Sequence, residues 1–158
     1  MKQVKIRAAK LNDLKTIQDL NYELIIYENV HNPSVEYNAN WPYEPAGKKY
    51  FKRVITDEDY GCCFVAELEN EIVGYLSAML KKGPDRDVVI IYLDTAIIVE
   101  KYRSQGIGRK LAKKAIVWGK RKGANRAQLD VSASNDHSIK VYENGGFRPI
   151  KMIMERKI

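Results

Sequence analysis

Between Val88 and Val99 the chain runs Val88-Val89-Ile90-Ile91-Tyr92-Leu93-Asp94-Thr95-Ala96-Ile97-Ile98-Val99, long, β-branched and nearly uninterrupted. No other stretch restricts the fold as much. It has no helical period and no turn residue, so it reads as a strand. A strand with so little polar alternation is expected at the centre of a sheet, buried on both faces. Asp94 is its one charge. A carboxylate there either takes part in chemistry or is satisfied by a backbone turn or a neighbouring Arg.

The segments around this run supply more strands and several helices. Val4, Ile6 and Ala8 alternate with polar residues, as in a short first strand. Asn12 is placed to cap a helix whose apolar positions Leu14, Ile17, Leu20, Leu24 and Tyr27 recur every three or four residues. Residues 31–45 carry Pro33, Pro42 and Pro45 without periodicity and read as an irregular connection, followed by a short amphipathic helix over 46–56. Strands over 63–68 and 72–79 flank Glu69-Asn70-Glu71 as a hairpin, and Gly83-Pro84-Asp85 marks a second turn.

After Gly106 the period becomes helical, with Ile107, Leu111, Ala115 and Trp118 on one face, and the helix stops near Gly123. Residues 127–131 form a short strand. Asn135 or Asp136 can cap another helix that ends at Gly145-Gly146, and 147–157 reads as a closing strand. The order β-α-α-β-β-β-α-β-α-β defines an α+β protein, a mixed sheet flanked by helices. Nothing divides it, so residues 1–158 are read as a single domain.

With 158 residues, 45% hydrophobic and 30% charged, the chain can bury a core without a disulfide or metal staple. No apolar run approaches the roughly 18 residues of a membrane span. The opening Met1-Lys2-Gln3-Val4-Lys5-Ile6-Arg7 lacks the features of a signal peptide, so a cytoplasmic location is expected. Cys62 and Cys63 are adjacent and make a poor disulfide pair, and no metal-binding spacing exists.

The net charge of +7 is unevenly placed. Residues 1–100 hold 12 basic and 16 acidic side chains, whereas residues 101–129 hold 10 basic and no acidic ones. Such a block can be a solvated helix face, a nucleic-acid footprint or the rim of a polyanion pocket. Aromatic residues gather elsewhere: Tyr22, Tyr27, Tyr37, Trp41, Tyr43, Tyr50, Phe51 and Tyr60 either pack a long loop onto the core or line a ligand pocket.

The chemistry concentrates where the long strand gives way to a helix, at Arg103-Ser104-Gln105-Gly106-Ile107-Gly108-Arg109. The first N–H groups of a helix lack intrahelical partners and carry partial positive charge. Gly106 and Gly108 leave no Cβ in front of them, and Arg103 and Arg109 add full charges, so the turn suits a phosphate. The glycines would also serve a plain tight turn. The three-glycine dinucleotide fingerprint and the Gly-Lys-Ser/Thr ending of the Walker loop are both absent.

Here the sequence resembles the GCN5-related N-acetyltransferase family. The family signature Arg/Gln-x-x-Gly-x-Gly/Ala is matched by Arg103 to Gly108, and its later Asn and Tyr-before-Gly-Phe segment by Asn135, Tyr142 and Gly146-Phe147. The resemblance covers about residues 60–150. It implies a mostly antiparallel sheet whose central strands splay apart to admit acetyl-CoA as cosubstrate. It further implies that the backbone of Ile97, Ile98 and Val99 pairs with the pantetheine arm. The amides of Gln105, Gly106, Ile107, Gly108 and Arg109, with Ser104 and Arg103 beside them, would hold the pyrophosphate. Asn135 would contact the arm or orient its loop, and Tyr142 would lie near the thioester sulfur.

Acyl transfer to an amine then assigns roles. A backbone N–H near Ile98 could stabilise the oxyanion, and the Tyr142 phenol could protonate the leaving thiolate. Asp94 and Tyr92 share a strand face by period two, unless a bulge intervenes, and either could take the amine proton through water. Glu28 is a third candidate, and a dedicated base is optional. The expected activity is N-acetyl transfer to a primary amine, and the net negative first 100 residues favour a cationic acceptor. A CoA-binding sensor without catalysis, or a nucleic-acid module using 101–129, are the alternatives. No membrane or nucleic-acid partner is expected, and the oligomeric state stays open, a homodimer included.

Overall fold

The computed structural model describes residues 3–32, 36–83, 87–156 and 158. In chain order its elements are β1 (Lys5–Ala8), α1 (Leu14–His31), α2 (Pro45–Thr56), β2 (Gly61–Leu68), β3 (Glu71–Lys82), β4 (Val89–Ile98), α3 (Ile107–Arg121), β5 (Arg126–Leu129) and α4 (Asp136–Asn144). Among the described residues the strands form one five-stranded sheet in the order β1-β2-β3-β4-β5. Every pair is antiparallel except β4–β5, which is parallel. The hairpin between β2 and β3 closes in two residues because Glu69 and Asn70 both adopt positive φ, 50° and 68°. Pro33 and most of the turn expected at Gly83-Pro84-Asp85 lie outside the described residues.

Two apolar layers sandwich the sheet. On one face Cys62, Phe64, Ala66, Leu76, Ala78, Ile91 and Leu93 pack under Ile107, Leu111, Ala115 and Trp118 of α3. On the other, Cys63, Val65, Tyr75 and Ile97 meet Ile17 and Leu20 of α1 and Phe51 and Val54 of α2. The adjacent cysteines therefore face opposite layers, both free, and burial pushes the Cys62 thiol up to about 12. Gly119 lets α3 lie flat on β4, since a Cβ there would fall 2.6 Å from the Ile91 Cβ.

Three expectations need correction. The strands buried on both faces are β2 and β3. β4, expected to be the doubly buried one, fully buries only Ile91, Leu93 and Ile97. Its register explains why: Ser77 pairs with Thr95 but Ala78 with Leu93, leaving Asp94 as an extra, bulged residue. Secondly, α1 starts after a 3-10 turn at Leu11–Asp13, with Asp13 and not Asn12 at its N-cap. Thirdly, the closing strand over 147–157 does not form: residues 147–156 are in no strand, and 148–156 are exposed.

Asp13 holds the first strand to the first helix. Its carboxylate accepts from the Lys10 amide at 2.7 Å and from Arg7 at 2.7 and 3.0 Å, while the Arg7 Nε donates to Glu67 at 2.7 Å. The Arg7 hydrogen bond holds the Asp13 carboxyl below its usual range. A depressed folded-state pKa adds stability that is present above the unfolded value of about 3.9 and lost as the pH falls through the folded value. Asp13→Asn should therefore cost about 1–2 kcal/mol at pH 7. Urea titrations of the parent and variant at neutral and acid pH should show the gap closing below about pH 4.

Candidate active site

β4 and β5 stay paired only from Ile90 opposite Arg126 to Leu93 opposite Leu129, and beyond Leu93 β4 continues to Ile98 beside β3 alone. The two central strands thus part at the bulge. The Val99 amide donates to the Val73 carbonyl at 2.9 Å. By the alternation of an antiparallel ladder, Ile97 and Val99 turn their backbone groups to β3, and Ile98 turns its own into the gap. Arg103 agrees with this direction, because its Nε reaches the Ile98 carbonyl at 3.0 Å. Of the three residues expected to offer backbone to a ligand, Ile98 is the one that faces the opening.

The turn into α3 borders the same gap. Ser104 and Gly106 adopt left-handed conformations, with φ of 62° and 74°. Left-handed backbone at a non-glycine residue stores strain of the kind that marks ligand-binding turns. Among the described residues, no amide from Ser104 through Arg109 donates to a backbone or side-chain acceptor; the ladder resumes with Lys110 donating to Gly106. A Cβ on Gly106 would meet nothing within 4 Å, and one on Gly108 only the Ile98 side chain at 4.0 Å. Six consecutive free amides, no side chain in front of the glycines and an exposed Arg109 fit a pyrophosphate. Arg103 does not point freely at this turn, being bound to Ile98 and lying 5.4 Å over the Tyr27 ring.

α4 brings the later motif. Asn135 caps it, its Oδ1 accepting from the Ser138 amide at 3.0 Å. Tyr142 is half-buried, with its ring edge-on to Phe147 at 5.8 Å. Burial pushes its phenol upward, so it stays protonated, and among the described residues its hydroxyl has no hydrogen-bond partner. A buried-side phenol with an uncommitted proton is suited to donating one.

The opposite wall lies on the α1 and α2 side. Tyr92 and Asp94 share that face, as period two predicted, because both precede the point where the bulge reverses the pleat. Asp94 is exposed, and its Oδ2 accepts from the Tyr50 hydroxyl of α2 at 2.5 Å. Tyr50 continues inward: Ser77 lies 2.9 Å away, Thr95 2.7 Å from Ser77, the Tyr75 hydroxyl 3.1 Å from Thr95, and Asn21 of α1 donates to Tyr75 at 2.8 Å. Burial, then the charge of Asp94, pushes the Tyr50 phenol far up, so it remains a donor. Tyr92 donates to Asp130, just past β5, at 2.5 Å. Tyr92 therefore stands as a strut between β4 and the chain after β5. Glu28 joins none of these bonds among the described residues.

Tyr50, Ser77, Thr95 and Asp130 escaped the sequence reading as site residues. Tyr50 appeared there only among the aromatic residues, and its partner is 44 positions away. The far end of α1 closes over the same region: Asn32 donates to Ser132 after β5 at 3.0 Å, and Tyr27 stacks on His31 at 3.9 Å.

A strand gap, a helix N-terminus of free amides and a phenol on the following helix make up the candidate site. A model of the acetyltransferase (GNAT) family matches residues 26–147, and the chain belongs to that family. It is similar to an N-alpha-acetyltransferase of Sulfurisphaera tokodaii, 28% identical over 167 aligned positions that cover 96% of this chain and 84% of that one. It is also similar to the probable N-acetyltransferase camello of Xenopus laevis, 31% identical over 90 residues; this match takes in 57% of the chain but only 40% of the Xenopus protein. Among solved structures, the aminoglycoside N-acetyltransferase AAC(6')-Iy in complex with CoA superposes with a TM-score of 0.76 at 21% identity, covering 99% and 96% of the two chains. The expected fold, a mixed and mostly antiparallel sheet with splayed central strands, is the one observed. No helix of the described residues is long and apolar enough to cross a membrane.

Proposed function

We propose that residues 1–158 act as one acetyl-CoA-dependent N-acetyltransferase domain that passes the acetyl group directly to a primary amine in a ternary complex. The observation that carries this reading is the row of unengaged amides from Ser104 to Arg109 beside the β4 edge that β5 leaves open. When bound, acetyl-CoA supplies an activated acyl group as a thioester.

The residues of this chain do the rest. The amides of Ser104 through Arg109 hold the pyrophosphate, with Arg109 adding charge. The Ile98 N–H, facing the gap, stabilises negative charge developing on the thioester oxygen as the amine nitrogen attacks the carbonyl carbon. The C–S bond breaks, the sulfur takes the Tyr142 proton, and water restores it. The attacking nitrogen loses its own proton to water near Asp94. Asn135 orients the loop through its cap of α4. The cytoplasm suits a protein whose two cysteines are free and buried.

The wall opposite supports a cationic acceptor. Asp94 and Asp130 are exposed carboxylates, each holding a tyrosine hydroxyl through Oδ2, with Oδ1 accepting no hydrogen bond among the described residues. Each can meet an ammonium without losing its tyrosine. Incubation with acetyl-CoA and a panel of amines, read by mass spectrometry, should show one added acetyl group on polycationic amines first. No transfer to any amine, together with no CoA binding, would sink the reading.

Asp94→Asn keeps an acceptor for Tyr50 and removes the charge. The KM for a dicationic amine should rise about tenfold, equivalent to about 1.4 kcal/mol, with a smaller change for a monoamine. Equal effects on both would leave Asp94 as a structural partner of Tyr50.

A further inference from the structure

From α1 to the bulge of β4 runs a chain of five hydrogen bonds that no step of the acetyl transfer uses, linking Asn21, Tyr75, Thr95, Ser77, Tyr50 and Asp94 in that order. Its inner members are almost wholly buried: Tyr75 and Ser77 are 0% exposed and Asn21 2%. The bulge makes the chain possible. On an unbroken strand Asp94 and Thr95 would point to opposite faces, whereas the extra residue turns both toward the α1 and α2 side.

The direction of the chain is fixed by its protons. A carboxylate only accepts, so the single hydroxyl proton of Tyr50 goes to Asp94. Ser77 must then donate to Tyr50, and Thr95 must donate to Ser77. Tyr75 donates to Thr95, and its oxygen accepts from the Asn21 amide. Every donor thus points toward Asp94. A proton reaching that carboxylate cannot pass inward until each hydroxyl turns round, so the chain holds the carboxylate and does not drain it. The inner end bears a cost. With Nδ2 committed to Tyr75, the buried Asn21 Oδ1 has no hydrogen-bond partner among the described residues. Turning the amide over would set Oδ1 against a phenol whose proton is already spent, so the unsatisfied oxygen is a consequence of the direction.

We propose that Thr95, Ser77 and Tyr50 are positioning residues for the acceptor amine: their one-way chain fixes Oδ2 of Asp94 and leaves Oδ1 as the atom that meets an ammonium group of the acceptor. The inference rests on the reading of Asp94 as the partner of a cationic acceptor. Thr95 and Ser77 act only through Asp94. Cutting the chain frees the carboxylate to rotate, which weakens the grip on a second positive charge and leaves the turn into α3 untouched.

Thr95→Val and Thr95→Ser separate the hydroxyl from the packing, because valine keeps the shape and cuts the chain whereas serine keeps the hydroxyl and loses a methyl. With diaminobutane as acceptor, Thr95→Val should raise KM about two- to tenfold, the worth of one hydrogen bond. The change for butylamine should be smaller, and kcat should hold. An unchanged CoA Kd shows that the variant folds. Thr95→Ser should behave as the parent. Tyr50→Phe cuts the last link and should give the same split, and adding Thr95→Val to it should raise KM no further. Titration calorimetry of diaminobutane into the CoA-bound protein should read the same loss as a Kd, without turnover. The proposal is overturned if Thr95→Ser raises KM while Thr95→Val does not, if the cut chain lowers kcat equally for both amines, or if the effects of Tyr50→Phe and Thr95→Val add. Asp94→Asn separates the two levels. An unchanged KM in that variant would overturn the acceptor reading and the positioning role together. A raised KM there, beside an unchanged one in Thr95→Val and Tyr50→Phe, would overturn the positioning role alone.

Discussion

Gly108→Asp should fold as well as the parent and fail to bind CoA. Space exists for the new side chain, since a Cβ at this position meets only the Ile98 side chain at 4.0 Å. An acidic residue in the first turn of α3 adds about 0.3–1 kcal/mol through the helix dipole, and replacing a helical glycine removes a penalty of up to about 1 kcal/mol. The ligand-free variant should thus melt at or above the parent temperature. In the parent, CoA at a hundred times its Kd should add about 2.7 kcal/mol of stability. In the variant that gain should vanish, because a carboxylate stands among the amides of Ser104 to Arg109. Calorimetric titration checks it: a Kd within a few-fold of the parent would show that the pyrophosphate binds elsewhere.

The second large effect is expected from Tyr142→Phe. The hydroxyl has no partner among the described residues and the ring contact with Phe147 survives, so stability should stay within about 0.5 kcal/mol of the parent. Losing the proton donor should lower kcat about 10²- to 10⁴-fold while CoA affinity and the amine KM hold. The pH profile separates this from a packing effect. Burial raises the pKa of this phenol, so in the parent the donor form persists beyond the usual tyrosine value near 10 and activity falls only above it. The variant should lack that alkaline limb, and an unaltered rate would assign the proton to another group.

The parts of the site that are local in sequence were legible there. The turn from Arg103 to Arg109 and the cap at Asn135 are written in consecutive residues, because helix ends and left-handed turns are decided by near neighbours. The apolar stripe of α3 was legible for the same reason, being a periodicity within a single element. What assembles across elements was not. Tyr50 finds Asp94 and Tyr92 finds Asp130 only once α2 packs on the sheet and β5 docks on β4. The closing strand was misjudged because alternation measures a segment's fitness to pair and not whether it pairs. The doubly buried run was misassigned to β4 because apolar composition does not show that β5 leaves β4 after Leu93, where Asp94 and Ala96 are exposed.

That break makes chain length around Asp94 matter more than residue identity. Before it, Ile91 and Leu93 supply the α3 layer; after it, the odd positions Thr95 and Ile97 fall on the α1 and α2 side. Removing one residue between Tyr92 and Thr95 would put the sheet back in phase and exchange the two layers for every position downstream, since side chains alternate with a period of two. The Ile98 amide and the turn into α3 behind it would then approach the gap from the wrong side. Substitutions at Asp94 can be graded by charge and size, whereas insertions and deletions there act like a frame change, and the strand should tolerate only those that preserve its parity.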